Sequence, residues 1–226
     1  MGQAVQSTCG YNLRSMKTPD AKPENTFFDA VYRGKPPWDV GEAQPALVKL
    51  LEAHPPSGPV LDVGCGTGEL ALAIARRGFT VLGVDVSSAA IAQAQAKAAK
   101  EAPMVRSSVE FRVGNGLKPA GLPGPFGAVV DSGFYHLFGA VERRAFVDEL
   151  AKALKKGGRY YLLGFAIEAQ YPNAPREVRE EELHGLFSAE KGWKILELKA
   201  AGFLVNREMG KVEVPAVAMC AERVVG

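Results

Sequence analysis

Short apolar segments alternate with longer amphipathic segments between residues 59 and 165. The apolar segments predict strands over 59–64, 80–85, 108–114, 126–132 and 159–165. The segments between them predict helices over 69–77, from Ser87 or Ser88 to Lys100, and over 141–155. Because nearly continuous apolar strands alternate with helices, we expect a parallel sheet that is covered on both faces.

The segments that flank this region have different patterns. Residues 1–24 have no periodicity and are interpreted as a flexible tail, so residues 25–226 are expected to form a single domain. The aromatic-rich segment 27–41 predicts a helix and then an extended loop from Pro36, and 45–52 predicts a second helix. After a helix over 180–188, the strand-like segments 193–205 and 212–224 lack a crossover helix, which favours an antiparallel hairpin at the sheet edge.

The composition is that of a globular protein and excludes several functional classes. Of 226 residues, 47% are hydrophobic and 23% charged, and the net charge is only +2 without a basic stripe, so we expect no nucleic-acid partner. Cys9, Cys65 and Cys220 are widely spaced and odd in number, which argues against disulfides and zinc and favours a cytoplasmic location. No apolar run is long enough to span a bilayer, so we expect no membrane association.

The most informative segment is VLDVGCGTGEL, residues 60–70. Gly64, Gly66 and Gly68 follow a predicted strand and precede a helix, where glycines permit a tight turn and a close approach of the backbone to a ligand. The next strand ends at Asp85, seventeen residues beyond Gly68, and an acid there can accept hydrogen bonds from both hydroxyls of a ribose. A purely structural turn is the alternative interpretation.

The spacing of this loop separates two classes of nucleoside ligand. Dinucleotide-binding loops have the pattern GxGxxG, whereas this loop has GxGxG. Asp62, two residues before the first glycine, would repel a pyrophosphate but could hold a cationic amino-acid group. The chain is also short for a dehydrogenase with a separate substrate domain, so the pattern favours a nucleoside with a cationic end.

The motif DVGCGTG followed by VDVS resembles the class I S-adenosylmethionine-dependent methyltransferases, and the resemblance covers about 60–158. It implies a Rossmann-like, doubly wound α/β fold with a mostly parallel seven-stranded sheet and an antiparallel C-terminal edge hairpin. It also implies S-adenosylmethionine as cofactor and S-adenosylhomocysteine as product. The residues expected to bind the cofactor are Trp38, Asp62, Gly64, Gly66, Thr67, Gly68, Asp85, Val86, Ser87, Asn115, Gly116, Asp131, Ser132 and Gly133.

The segment PWDVGEAQPALVKLL, residues 37–51, resembles a part of the small-molecule methyltransferases of the thiopurine, thiol and tellurite-resistance type. In that group the N-terminal segment, here 25–55, closes over the cofactor and shapes the acceptor pocket. The resemblance therefore implies a helical lid, in which Trp38 and Gln44 are the most telling residues. The aromatic residues of the lid could instead fasten the first helix to the core. The residues expected to contact substrate are Phe28, Tyr32, Trp38, Tyr135 and His136.

The predicted activity is methyl transfer by in-line attack of sulfur, oxygen or nitrogen of a small acceptor, for which an aromatic compound is one candidate. A hydroxyl acceptor benefits from a base, and His136, just after the fourth predicted strand, is the candidate. The alternative is that His136 packs at the start of a helix. We expect no metal and favour a monomer. RNA or protein methylation and a non-catalytic nucleoside-binding module are the alternative functions.

Overall fold

The structure, a computed structural model, describes residues 25–168 and 175–225. Its strands are β1 (Val60–Val63), β2 (Val81–Asp85), β3 (Val109–Val113), β4 (Phe126–Ser132), β5 (Leu154–Phe165), β6 (Trp193–Arg207) and β7 (Gly210–Arg223). They form one sheet in the order β3-β2-β1-β4-β5-β7-β6. The flexible tail expected over 1–24 lies outside the described residues, and the domain limits stay a prediction.

Seven α-helices lie in the described ranges, and all but one of them were expected from the sequence. They are α1 (Asn25–Tyr32), α2 (Pro45–Ala53), α3 (Glu69–Ala75), α4 (Ser88–Ala98), α5 (Pro103–Ser108), α6 (Ala140–Ala153) and α7 (Glu180–Leu186). The unexpected helix is α5, which starts at a proline after a short break in the α4 pattern. None of the helices in these ranges combines the length and the apolar character needed to cross a membrane.

The sheet is parallel from β3 to β5 and antiparallel beyond it. Strand β1 pairs in parallel with β2 and β4, whereas β7 runs antiparallel to both β5 and β6. Each parallel pair is connected through helices, but only two residues separate β6 from β7, and such a tight connection permits only antiparallel pairing. The predicted α/β class, the mixed sheet and the C-terminal hairpin are confirmed.

Two apolar layers cover the faces of the sheet. Leu47 of α2, Leu70 of α3 and Ile91 of α4 pack on one face, and Phe146 of α6 and Leu183 of α7 pack on the other. The strands alternate between these layers, so consecutive residues of one strand enter different cores. The domain therefore has the two-sided coverage that the apolar strands predicted.

Two element boundaries differ from the predicted ones because of tertiary contacts. Helix α6 ends at Ala153, not at residue 155, because Leu154 already pairs with Phe126 ahead of a bulge in the β4–β5 ladder. The β6–β7 hairpin is longer than expected. Its pairing continues to Arg207 and Gly210, whereas the last β5–β7 pair joins Phe165 and Ala216. The hairpin consequently projects past the carboxyl end of β5.

Candidate active site

The glycine loop connects β1 to α3 at the carboxyl edge of the sheet. Gly64 and Gly66 have φ values of 64° and 52°, in the left-handed region that favours glycine. A Cβ atom at Gly64 would lie 2.6 Å from the Phe134 ring, and one at Gly66 would lie 2.7 Å from the Tyr32 hydroxyl. Both the turn and its close aromatic neighbours therefore require glycine.

Asp85 closes the turn at the end of β2. Its two carboxylate oxygens accept hydrogen bonds from the backbone amides of Gly66 and Ser87, each at 2.9 Å. Burial raises the pKa of this carboxyl, against the lowering effect of the amides. A carboxylate oxygen has two acceptor positions, so each oxygen keeps capacity for one hydroxyl of a bound ribose.

Asp62 of β1 is a buried acid with an unsatisfied oxygen. The side chain is 1% exposed, and Oδ2 has no hydrogen-bond partner among the described residues. Burial raises the pKa of the Asp62 carboxyl well above its usual range, and the nearby Asp131 and Asp85 raise it further. A buried acid without a cation beside it fits a positively charged ligand group, because such a group would satisfy both its charge and its free oxygen.

Helix α1 is fastened to the start of α4, next to Asp85. The Asp29 carboxylate accepts hydrogen bonds from the Ser87 hydroxyl at 2.7 Å and from the Ala89 amide at 3.1 Å. The hydrogen bond from Ser87 is the main cause that lowers the pKa of Asp29. At the other end of α1, the side-chain amide of Gln93 donates to the backbone carbonyl of Tyr32 at 2.7 Å. Sequence analysis missed Asp29 and Gln93, since neither belongs to a motif.

The loop after α1 joins the glycine loop to the projecting hairpin. Thr67 donates to the Asp39 carboxylate at 3.0 Å, and Trp38 Nε1 donates to the Tyr32 hydroxyl at 3.1 Å. Gln44 pairs with the backbone of Leu204 in β6, donating to its carbonyl at 2.9 Å and accepting from its amide at 2.7 Å. The segment expected to be a lid is thus hydrogen-bonded to the glycine loop through Asp39 and to β6 of the hairpin through Gln44.

The turn after β4 is built around Asp131. This residue is fully buried, and its carboxylate accepts from the amides of Phe134 at 2.8 Å and Tyr135 at 3.0 Å and from the Tyr160 hydroxyl at 2.8 Å. Burial raises the pKa of Asp131 to about 7, although these hydrogen bonds lower it. The carboxylate therefore points into its own turn, while Ser132 and Gly133 stay partly exposed.

His136 and Tyr135 follow in the same turn but occupy different surroundings. His136 is 4% exposed, its Nδ1 accepts from the Phe165 amide at 3.2 Å, and its ring centroid lies 4.6 Å from that of Phe165. Tyr135 is fully buried in the layer beneath α6, with the Arg143 guanidinium 4.6 Å from its ring centroid. In this arrangement Tyr135 is a core residue, and its expected contact with substrate stays a prediction.

The remaining expected ligand residues lie on the surface of the same edge. Asn115 is exposed, and its side-chain oxygen accepts from the Leu117 amide at 3.0 Å. Gly116 beside it is buried against Phe134, Val86 is half-buried, and Trp38 is 38% exposed. The residues predicted to bind the cofactor thus follow the carboxyl ends of β1 to β4, apart from Trp38, which lies in the segment expected to be a lid.

Within residues 25–168 and 175–225, no three His, Cys, Asp or Glu side chains are grouped so that they could hold a metal ion. Cys65 and Cys220 are free, and Cys9 lies outside the described residues. The expectation that no metal is needed stays a prediction.

The glycine loop after β1 is held by the acid that ends β2, which is the arrangement that the resemblance to the class I S-adenosylmethionine-dependent methyltransferases predicts. The family model described as a methyltransferase domain matches residues 60–158. The chain is 32% identical over 190 residues to a 2-heptyl-1-hydroxyquinolin-4(1H)-one methyltransferase of Mycobacteroides abscessus, covering 80% of this chain and 82% of that protein. The chain therefore belongs to this methyltransferase family.

Two solved or curated relatives extend this comparison. A structure from work on the conversion of a disulfide bond into a thioacetal group during echinomycin biosynthesis has a TM-score of 0.75 and 31% identity, covering 88% of this chain and 92% of that one. Probable thiol methyltransferase 2 of Arabidopsis thaliana is 29% identical over 150 residues, 66% of this chain and 65% of that protein. The protein is thus an S-adenosylmethionine-dependent methyltransferase, as the motifs predicted.

Proposed function

We propose that the protein transfers the methyl group of S-adenosylmethionine to oxygen, sulfur or nitrogen of a small, flat acceptor. The observation that carries this proposal is the aromatic cluster beside the turn after β4. A Cβ atom at Gly133 would lie 3.2 Å from both the His136 ring and the Phe203 ring, and Phe165 packs against both of these rings. Such a surface favours a planar ring over an aliphatic chain.

The residues that would hold the cofactor lie around the glycine loop. Asp62 would face its cationic groups, Asp85 would accept from the ribose hydroxyls, and Val86, Ser87, Asn115 and Gly116 would border the adenine. Trp38, Thr67, Ser132 and Gly133 complete this proposed set. When bound, S-adenosylmethionine supplies a methyl group on a positively charged sulfur, which is already activated for transfer.

This chain's own contribution is to position the acceptor and to exclude water. The Tyr32 hydroxyl lies beside Gly66 of the glycine loop and accepts a hydrogen bond from Trp38, and Phe28 and His136 would complete the acceptor side. Alignment of two bound reactants can provide most of the acceleration of such a transfer. We propose that the enzyme acts as a cytoplasmic monomer on a diffusible acceptor, without nucleic acid or membrane as partner.

The relatives support a small acceptor, since one is named for a hydroxyquinolone and another for a thiol. The test is transfer of a labelled methyl group from S-adenosylmethionine to a panel of N-hydroxyquinolones, phenols, aryl thiols, alkyl thiols and heterocyclic amines. We expect turnover of flat acceptors, and little or none in an Asp85→Ala control that no longer binds the cofactor. Cofactor binding by the wild-type protein without transfer to any panel member would contradict the proposal.

A further inference from the structure

The orientation of the His136 ring decides which of its nitrogens carries a proton. A neutral imidazole has one donor and one acceptor nitrogen. Nδ1 accepts the hydrogen bond of the Phe165 amide at 3.2 Å, so the proton of the neutral ring is on Nε2. The ring is therefore prepared to donate a hydrogen bond, and not to remove a proton.

The groups around His136 keep the ring in this neutral form. From α6, Arg143 acts on His136 with its positive charge, and it is paired with Glu182 of α7 at 2.6 Å. From the segment before α7, the Arg176 backbone amide donates to the His136 carbonyl at 2.6 Å. The Asp131 carboxylate of β4 is hydrogen-bonded to the backbone of its own turn. Strands β5 and β6 contribute the uncharged rings of Phe165 and Phe203. Burial, and then the charge of Arg143, lower the pKa of His136 to about 3.

The other groups of residues 131–138 do not replace His136 as a base. Asp131 is fully buried, and three donors occupy its carboxylate. Tyr135 is equally buried and lies under Arg143, in the core. Among these groups of the turn after β4, Nε2 of His136 is thus a donor, and neither Asp131 nor Tyr135 is a free proton acceptor.

We propose that the acceptor reacts as an anion that is already formed at neutral pH, and that Nε2–H of His136 binds its attacking atom. This inference rests on the proposed function and narrows its substrates to acidic ones: N-hydroxy heterocycles, acidic phenols and aryl thiols. A lone pair of the anion forms the new bond to the methyl carbon, and the electrons of the broken carbon–sulfur bond stay on sulfur. No proton is transferred in this step, so no base is needed.

The pH dependence of turnover tests the proposal with the wild-type chain. For a series of ring-substituted phenols with different pKa values, kcat/KM is measured against pH at saturating S-adenosylmethionine. We expect each profile to rise about tenfold per pH unit and to level off at the pKa of that acceptor, because the anion is the reactive form. One inflection shared by all acceptors would overturn the inference, as would efficient methylation of aliphatic alcohols.

Two variants separate a donor from a base. We expect His136→Leu to lower kcat/KM about tenfold to hundredfold for all acceptors alike, since a single hydrogen bond to a charged atom is lost. His136→Gln keeps a donor and should recover most of this loss. A loss that grows steadily with the pKa of the acceptor would instead identify His136 as the base. In each variant, retained cofactor binding and an unchanged thermal unfolding midpoint would show that the protein is folded. Absence of turnover of every acceptor by the wild-type protein would overturn the proposed function itself.

Discussion

Replacing Asp62 by Asn is expected to weaken cofactor binding without unfolding the domain. The carboxyl is 1% exposed, and one of its oxygens has no partner among the described residues. Burial raises the pKa of this carboxyl well above its usual range, because it disfavours the charged form in the free protein. Asn has the same shape and is neutral, so we expect the free energy of unfolding to change by less than about 1 kcal/mol.

The effect on binding follows from the charge of the ligand. A cationic group next to Asp62 favours the ionised carboxylate, and a hydrogen bond to a charged group contributes about 1.5–3 kcal/mol. Asn cannot supply the charge, so the Kd for S-adenosylmethionine should rise about tenfold to hundredfold. Because a cation beside Asp62 would lower the raised pKa of its carboxyl, binding to the wild-type protein should release protons over the pH range between the pKa values of the free and bound forms. The affinity should therefore increase with pH up to the pKa of Asp62, and Asn should remove this dependence.

Isothermal titration calorimetry measures both quantities, since titrations in two buffers of different ionisation enthalpy give the Kd and the number of protons released. Asp131→Asn is the matched control. Asp131 is an equally buried acid, but its oxygens already have donors, so its replacement should affect folding more than the Kd. Its effect on proton release should be limited to the change that it causes in the pKa of Asp62. An unchanged Kd together with unchanged proton release in Asp62→Asn would refute the reasoning.

Three further expectations concern stability. Gln44→Ala leaves the backbone amide and carbonyl of Leu204 in β6 without their partner. The free energy of unfolding, measured by urea denaturation, should therefore fall by about 2 kcal/mol or more, and an unchanged midpoint would contradict this. Gly127→Ala would place Cβ 1.6 Å from the Ser57 carbonyl oxygen and should destabilise by over about 3 kcal/mol, whereas Gly121→Ala has nothing within 4 Å and should be neutral. The pKa of Asp131 is about 7 in the folded protein, against an ordinary 3.8. The contribution of Asp131 to the free energy of unfolding is therefore full below pH 4 and is lost as the pH rises through 7. Urea denaturation at several pH values should show that the free energy of unfolding falls less with pH in Asp131→Asn than in the wild-type protein. Equal pH dependence in the two proteins would contradict this expectation.

Local patterns in the sequence were sufficient for the sheet and for the glycine loop. Strands β1 to β4 lie within one or two residues of their predicted limits, because buried parallel strands are continuous apolar runs. Asp85 was identified by its distance from the loop, and it does bind the loop through the Gly66 amide. The ends of α6 and of the hairpin were misplaced, because pairing with a distant strand sets them and periodicity does not report it.

The sequence by itself therefore determined the class of the protein, since the methyltransferase motif is a short, contiguous segment whose backbone geometry depends on its own glycines. The contacts between distant segments around the site come only from the tertiary structure. Gln44 meets β6 at a position 160 residues away, and Asp29 meets Ser87 across 58 residues. The Phe165 amide, 29 residues from His136, fixes which nitrogen of that ring donates. Such contacts depend on how separate elements pack, and the order of residues along one segment does not contain them.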